Sequence, residues 1–317
     1  MISMALMRFN MGSSPRGWEV DGPSGRVGTG CALSVSMTRK TIAALAAASV
    51  LAAACSPSQD QEVAIGRQNA EQVNARLPIL RDPVAADYVQ QLGMSMAAKT
   101  SRSDLDWKFF IVDSKDVNAF ALPGGFIYVN RGLIDHAQEL DELAGALGHE
   151  IGHVVLRHSV QQMVQGTKAN VAVSLGCTLT RICNSDLARA AIQFGGAALF
   201  ARYSRHDEAQ ADSVAVENVM RAGIDPHGIP ALFERLLEER KTSPMRIEAF
   251  FASHPMEEDR IRATAAEINA IDPAELRGLK RDDPGYQAFK ARLKSLPRAP
   301  DPDPAQQLAP ESLRSSP

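Results

Sequence analysis

The stretch Gly148–His153, which reads Gly-His-Glu-Ile-Gly-His, decides the fold of this chain. On an α-helix, which turns about 100° per residue, His149 and His153 lie about 40° apart on one face, one turn from each other. Glu150 lies on the flank of that face, where a carboxylate reaches a metal-bound water molecule without binding the metal. The pattern therefore predicts a helix, here called the metal helix, that carries a metal ion and a general base.

A catalytic zinc site needs a third protein ligand, and the chain offers one downstream. Glu208 is the candidate, and Asp212 lies one turn further along the same helical face. A ligating histidine usually donates its second ring N–H to a carboxylate, which is the role we expect for Asp212. The face of an ordinary acidic helix would show the same two residues. Together with His149 and His153, however, they favour one zinc ion per chain.

The composition is that of an ordinary globular protein. Of 317 residues, 45% are hydrophobic and 22% are charged, and the formal net charge is -3. This charge gives no support for binding to nucleic acid, so we expect no such partner. We expect a non-native or untranslated leader over 1–36, a signal peptide over 37–54, a linker over 55–61, one globular domain that contains the metal helix over 62–295 and a disordered Pro-rich tail over 296–317.

A pattern for export follows the leader. Met37–Lys40 carries positive charge, an apolar run follows, and small residues precede Cys55. This order is typical of a secretory signal peptide, and translation is expected to begin at Met37. Leu51–Cys55 resembles a bacterial lipoprotein signal, which implies lipidation of Cys55 and, because Ser56 follows, the periplasmic side of the outer membrane. The alternative is an Ala-x-Ala cut by the general signal peptidase, which gives a soluble periplasmic protein.

Two further cysteines, Cys177 and Cys183, enclose a short loop. In an oxidising compartment they can form a disulfide, and the alternative is two small buried apolar side chains. They lie within residues 168–203, which hold two apolar stretches of about 12 residues. Each is shorter than the roughly 20 residues that cross a bilayer. We expect core helices or a flap over the metal site, with contact to a membrane surface as the alternative.

Hydrophobic periodicity predicts an α+β, predominantly helical domain. Helices are expected over 62–77, 83–99, 137–163, 203–221, 230–241, 257–270 and 286–293. Alternation with period two predicts a small, mostly antiparallel sheet just before the metal helix, with strands over 107–113, 118–122 and 126–129. The metal helix is apolar around much of its circumference and is therefore expected to be buried.

Four separate motifs resemble the M48 family of zinc metallopeptidases and occur in that family's order. They are Asn118–Gly125, then His149–His153 with Arg157 and His158, then Tyr203–Arg205 before Glu208 and Asp212, and finally Ser253–Pro255 with Arg260. The resemblance covers about Gly66 to Ile271 and is strongest to soluble periplasmic members. It implies a zincin fold of the gluzincin-like type.

The resemblance also implies a role for each residue of the site. His149, His153 and Glu208 would bind zinc, which polarises the scissile carbonyl and activates a water molecule. Glu150 would take a proton from that water and pass it to the leaving amine. Substrate would add as an extended strand beside an edge strand, or a loop would cover that edge instead. The candidates on the edge strand are Asn118, Ala119, Phe120 and Ala121.

Three further polar residues have weaker assignments. The His-Pro motif of the family places His254 near the site, where it would stabilise the oxyanion or take the open zinc position, and the alternative is a histidine in a surface loop. His158 lies about 140° from His153 on a continuous helix, too far round to join the zinc face, so its role is structural or supporting. Arg205 precedes Glu208 by about one turn and is expected to fix its helix by an ion pair.

These patterns together predict a zinc-dependent metalloendopeptidase, tethered to the membrane by a lipid anchor. Its expected substrates are unfolded or misassembled polypeptides of the cell envelope, because extended chains fit an edge-strand groove and folded ones do not. The alternative is a chaperone-like or binding protein whose zinc site is structural or held shut. A structural zinc ion has four protein ligands, and His254 is the candidate for the fourth.

Overall fold

The computed structural model describes residues 56–166, 203–242, 244–255 and 258–299. The predictions for the leader, the signal peptide, lipidation of Cys55, the pair Cys177 and Cys183, and residues 168–202 lie outside the described residues. The helices are α1 Gln59–Arg76, α2 Pro83–Ala97, α3 Arg131–His136, α4 Leu140–Val155, α5 Arg205–Arg221, α6 Gly228–Thr242, α7 Pro244–Ser253, α8 Glu258–Asn269, α9 Pro273–Leu276 and α10 Pro284–Ser295. The strands are β1 Lys108–Val112, β2 Ala119–Leu122 and β3 Phe126–Asn130.

The α+β, predominantly helical class is confirmed, but the sheet is mixed rather than mostly antiparallel. Its strand order is β1-β3-β2. β2 and β3 are antiparallel neighbours across a turn in which Gly124 and Gly125 adopt φ values of 79° and 97°, which favour glycine. β3 runs parallel to β1. The antiparallel expectation was wrong for β1, because residues 113–118 carry the chain past one strand position. β3 occupies that position, between β1 and β2.

The two outer strands of the sheet have different surroundings. Residues 78–80 run along β1, where Leu80 N–H donates to Ile111 O at 2.9 Å and Asp113 N–H donates to Pro78 O at 2.8 Å. β2 lies at the other edge and packs against α4. Within the described ranges, no strand pairs with the outer edge of β2. The edge next to the metal helix is therefore the one available to an added strand.

The metal helix is α4, and it is shorter than the expected span 137–163. It begins at Leu140, and every residue from there to Val154 is buried, as predicted. It ends because Arg157 adopts a left-handed φ of 59°, which interrupts the repeating helical hydrogen bonds. A second helical stretch, residues 158–166, follows this break.

Helix α5 packs closely on α4 because glycine residues line the contact. A Cβ atom added at Gly152 would lie 2.8 Å from Ala211 O, and one added at Gly148 would lie 3.1 Å from Val219 Cγ2. Ser204 caps the start of α5, since its Oγ accepts from Asp207 N–H at 3.1 Å. The close approach brings the first turns of α5 against the two histidines of α4.

Helix α7 lies between two predicted helices, in a region where no helix was predicted. Its residues Ile247, Phe250 and Phe251 are buried, and this helical spacing was the available signal. The helix matters for the site because His254 follows its last residue, Ser253.

Hydrogen bonds hold the first residues of the predicted disordered tail against the folded domain. The buried Arg131 donates from Nη2 to Leu296 O at 2.9 Å and from Nη1 to Asp113 Oδ1 at 3.0 Å. Ala299 N–H donates to Asp113 Oδ2 at 2.7 Å. Residues 296–299 therefore belong to the folded part, and residues 300–317 lie outside the described residues. Among the described helices, none is long and apolar enough to span a bilayer.

Candidate metal centre

The side chains predicted as metal ligands converge in the structure, where all three are buried. The Nε2 atoms of His149 and His153 are 3.0 Å apart. Oxygen atoms of Glu208 lie 3.5 Å from the first Nε2 and 3.3 Å from the second. Four donors that surround a zinc ion tetrahedrally at about 2.0–2.1 Å are about 3.3 Å from one another. The separations therefore fit one zinc ion.

His254 supplies a fourth donor at the same spacing. Its Nδ1 lies 3.3 Å from His149 Nε2 and 3.1 Å from Glu208 Oε1. The ligand atoms of these three residues and of His153 all lie within 4.8 Å of one another. The backbone N–H of His254 donates to Phe250 O at 2.8 Å, and its side chain is buried. The geometry thus places His254 inside the site and not in a surface loop.

The carboxylate behind His149 is itself paired with a guanidinium. His149 Nδ1–H donates to Asp212 Oδ1 at 2.8 Å, the contact that the sequence predicted. Arg260 donates to the two oxygens of Asp212 from Nε and Nη2, at 2.7 and 2.8 Å, and from Nη1 to Glu208 Oε2. One guanidinium therefore bridges the carboxylate at the metal site and the carboxylate that orients His149.

The cation at these carboxylates is Arg260 of α8, whereas Arg205 lies exposed at the first position of α5. Sequence reasoning placed Arg260 in the motif with His254 and gave it no role. A signal was present, since two buried acidic residues need a cationic partner. Which arginine supplies it depends on how α8 packs against α5, and local spacing does not contain that information.

The pKa of Glu150 shifts in the opposite direction to the pKa values of Glu208 and Asp212. Burial raises the pKa of a carboxyl, yet the pKa of Glu208 and of Asp212 is lowered because surrounding histidines and Arg260 outweigh burial. For Glu150 burial prevails and raises the pKa, and neither oxygen has a hydrogen-bond partner among the described residues. Its Oε1 lies 3.4 Å from His254 Nε2, without hydrogen-bond geometry. Such a carboxylate is suited to exchange a proton.

The groups behind His153 are uncharged or weakly basic. The ring of Tyr203 stacks on the imidazole with centroids 3.8 Å apart, and its hydroxyl is 2.8 Å from Ser159 Oγ. His153 Nδ1 lies 2.9 Å from His158 Nδ1, and His158 Nε2 lies 3.3 Å from Gln210 Oε1. Burial lowers the pKa of His158. Sequence reasoning missed this contact because it assumed a continuous helix through His158.

The predicted substrate strand lies beside the metal helix. Ala119 and Ala121 are buried in β2, and Phe120 between them is half-buried. Asn118 precedes the strand, and its backbone O accepts from Asn130 N–H at 2.9 Å. The four residues thus lie along the sheet edge that carries no strand partner in the described part of the chain.

Comparison with known proteins agrees with this geometry. Residues 83–268 match the model of Peptidase family M48, which is more than half of the 317 residues. The chain belongs to peptidase family M48. The matched region of this M48 chain includes His149, His153, Glu208 and His254. Zinc is the cofactor of such metallopeptidases, and the donor set found here fits one zinc ion.

Curated relatives resemble this M48 chain over part of their length. A putative beta-barrel assembly-enhancing protease of Vibrio cholerae is 30% identical over 227 residues, covering 68% of this chain and 46% of that protein. The beta-barrel assembly-enhancing protease of Escherichia coli K12 is 26% identical over 223 residues, covering 67% and 45%. The mitochondrial metalloendopeptidase OMA1 of Schizosaccharomyces pombe is 29% identical over 175 residues, covering 55% and 50%. The matched part thus spans about half of each relative or less.

Proposed function

We propose that this chain is a zinc-dependent metalloendopeptidase that cleaves unfolded or misassembled polypeptides of the cell envelope. The observation that carries the proposal is the buried Glu150, whose oxygens have no hydrogen-bond partner in the described part of the chain, beside four side chains at zinc-ligand spacing. When bound, zinc supplies a Lewis acid that polarises a carbonyl and lowers the pKa of water towards about 7. His149, His153 and Glu208 would hold it.

Glu150 transfers the proton in this reaction. Its carboxylate takes a proton from the attacking water and passes it to the leaving amine. Burial raises its pKa and thereby makes the carboxylate a better base than an exposed glutamate. Asp212 and Arg260 hold His149 and Glu208 in place, and neither is needed to move a proton.

Extended polypeptides are the substrates that the sheet edge favours. A peptide that adds to β2 would form backbone hydrogen bonds along Asn118–Ala121 and lie against the metal helix. A folded protein has its backbone groups already paired and cannot add in this way. This argument supports unfolded chains as a class and gives no preference for a particular sequence.

The proposed location is the periplasmic side of the outer membrane, with soluble periplasmic as the alternative. The signal pattern before Cys55 supports export and lipidation, although it lies outside the described residues. Two relatives carry names that refer to beta-barrel assembly, and this supports substrates among envelope proteins.

A second candidate function rests on the fourth donor. His254 Nδ1 lies at ligand spacing from His149 and Glu208, so four protein donors surround one point. Such a set is typical of structural zinc, or of a catalytic site whose open position is filled. A chaperone-like or binding protein with a closed zinc site is therefore the alternative.

The experiment compares residues 56–317 with the Glu150→Gln variant in zinc content and in cleavage of an unfolded protein. We expect both proteins to bind zinc and the variant to lose about 10²–10⁴-fold in cleavage rate, because the base is gone. Glu217→Gln is the control, since Glu217 is exposed and pairs with Arg221. Equal cleavage by wild type and Glu150→Gln would contradict the enzyme proposal.

His254→Ala in the same assay separates the two candidate functions. If His254 keeps the site closed, this variant cleaves faster than wild type. If His254 stabilises the developing oxyanion, the variant cleaves more slowly, by about 10²–10³-fold. Zinc binding and prevention of aggregation without cleavage in wild type, Glu150→Gln and His254→Ala alike would favour the chaperone-like alternative.

A further inference from the structure

The break at the end of the metal helix changes which residues reach the zinc ligands. On a continuous helix His158 would point about 140° away from His153. Arg157 instead has a φ of 59° and is the only non-glycine residue of the described ranges with positive φ. The regular helix is interrupted at this residue, and a second helical stretch, 158–166, begins after it. His158 Nδ1 thereby reaches His153 Nδ1 at 2.9 Å.

The backbone turn is held by contacts of the half-buried Arg157 side chain. Its Nε donates to Glu62 Oε2 at 2.8 Å, and its Nη2 donates to Pro57 O at 2.6 Å. Glu62 is buried and also accepts from Arg102 Nη1 at 2.7 Å. An L-residue rarely adopts the left-handed conformation, and it persists only when neighbouring groups fix it. These ion pairs supply that constraint.

Only one direction of the hydrogen bond between His153 and His158 is compatible with metal binding by His153. His153 binds a metal through Nε2 only if its proton is on Nδ1, which then donates to His158 Nδ1. His158 must in turn carry its proton on Nε2, which lies 3.3 Å from Gln210 Oε1 and 3.8 Å from Asp207 Oδ1. A carboxylate accepts hydrogen bonds and does not donate them when ionised. The surroundings therefore favour the tautomer that leaves His153 Nε2 open.

We propose that His158 is a positioning residue that fixes the metal-binding tautomer and the ring orientation of His153. It takes the place that a carboxylate takes behind His149, and the left-handed Arg157 brings it there. The inference rests on the proposed zinc function. It assigns no step of catalysis to His158, whose effect passes through His153.

The test is the zinc affinity of the full chain with three substitutions at one position. Asn places Oδ1 where histidine has Nδ1 and keeps an acceptor for His153, whereas Gln places its amide near the Nε2 position, and Ala removes both. We expect His158→Ala and His158→Gln to lower zinc affinity by about 10–100-fold and His158→Asn to keep most of it. The visible spectrum of the Co²⁺-loaded protein should change in the first two variants. His206→Ala is the control, because His206 is exposed on α5.

Two outcomes would overturn the inference. One is wild-type zinc affinity and an unchanged Co²⁺ spectrum in His158→Ala. The other is an equal loss in Ala, Gln and Asn variants, which would mean that the imidazole acts by packing alone. Zinc affinity does not depend on turnover, so this test stays separate from the proposed function. If that function fails, wild type binds zinc and does not cleave; if only this inference fails, wild type still cleaves.

Discussion

The two histidine ligands of one helix are supported by different chemistry. Behind His149 lies a charged pair, in which Asp212 accepts from Nδ1 at 2.8 Å and from Arg260. Behind His153 lies a second imidazole, His158, at 2.9 Å. Both arrangements fix the ring and leave Nε2 for the metal. Only the first places a carboxylate against the ring, so the two ligands differ in their affinity for protons.

The protonation of the metal-free site reflects this difference. Burial opposes a charge on His149, but the hydrogen bonds and charges of Asp212 and Glu208 outweigh it and raise the pKa to about 10. For His153 burial prevails and lowers the pKa well below its ordinary value. At neutral pH the metal-free protein therefore holds a charged His149 beside a neutral His153.

Removing the charged support should have the largest effect. Arg260→Met replaces a buried guanidinium with a side chain of similar length and removes the arginine that pairs with both Glu208 and Asp212. Breaking a buried ion pair on one side costs about 3–5 kcal/mol. We expect a loss of this size in the free energy of unfolding of the metal-free protein, measured by denaturant titration. The loss should be smaller with zinc, since the ion then binds Glu208.

Arg262→Met is the matched control for that measurement. Arg262 lies two residues further on α8 and pairs with Glu258 on the exposed surface. Surface pairs contribute little to stability, so no resolved change is expected. If Arg260→Met were as stable as Arg262→Met, the charged support of His149 would be no stronger than a surface contact.

The His149 side of the site was largely predictable, and the His153 side was not. Helix geometry gives the spacing within each pair, His149 with His153 and Glu208 with Asp212. The need of zinc for a third ligand joined the two pairs, and the structure brings all four residues together. His158 could not be placed, because its position depends on one left-handed residue, Arg157. That conformation is imposed by contacts distant in sequence.

The same distinction between local and distant interactions applies to the fold. The strands were found from local alternation, but their mixed order depends on which strand fills the place beside β1. The role of Arg260 depends in the same way on the packing of α8. Local periodicity indicates that a helix exists and does not predict its neighbours. In α7 the spacing of the buried residues was such a signal, although no helix was predicted there.

The glycines beside the two histidines allow a test of intermediate size. A Cβ at Gly152 would meet the backbone of Ala211 at 2.8 and 3.1 Å, whereas one at Gly148 would meet a side-chain methyl of Val219 at 3.1 Å. Backbone atoms cannot move aside as a methyl group can. We expect Gly152→Ala to cost about 1–3 kcal/mol of unfolding free energy and to weaken zinc binding, because α5 carries Glu208 away from His153.

Gly148→Ala is the comparison for that measurement. Its milder clash is offset by the helix propensity of alanine, which exceeds that of glycine by about 1 kcal/mol. We expect little net change in unfolding free energy. A larger loss for Gly148→Ala than for Gly152→Ala would mean that α5 contacts the His149 side more tightly than the structure shows.

The smallest predicted effect is the release of protons when zinc binds. Since the pKa of His149 in the metal-free fold, about 10, lies above its ordinary 6.5, the charged form stabilises that fold below pH 6.5, and this contribution is lost as the pH rises through 10. Zinc competes with the same proton. Zinc affinity should therefore rise by up to about tenfold per pH unit below pH 10, with release of about one proton near neutral pH. Burial keeps His153 neutral, so it should release none.

Calorimetry of zinc binding in buffers of different ionisation enthalpy measures the number of protons released. Asp212→Asn should lower this number, because the loss of the carboxylate charge lowers the pKa of His149. His158→Asn should leave it unchanged, since the support of His153 carries no charge. Release of two protons by wild type, or an equal number from wild type and Asp212→Asn, would contradict the assignment of the charged support to His149 alone.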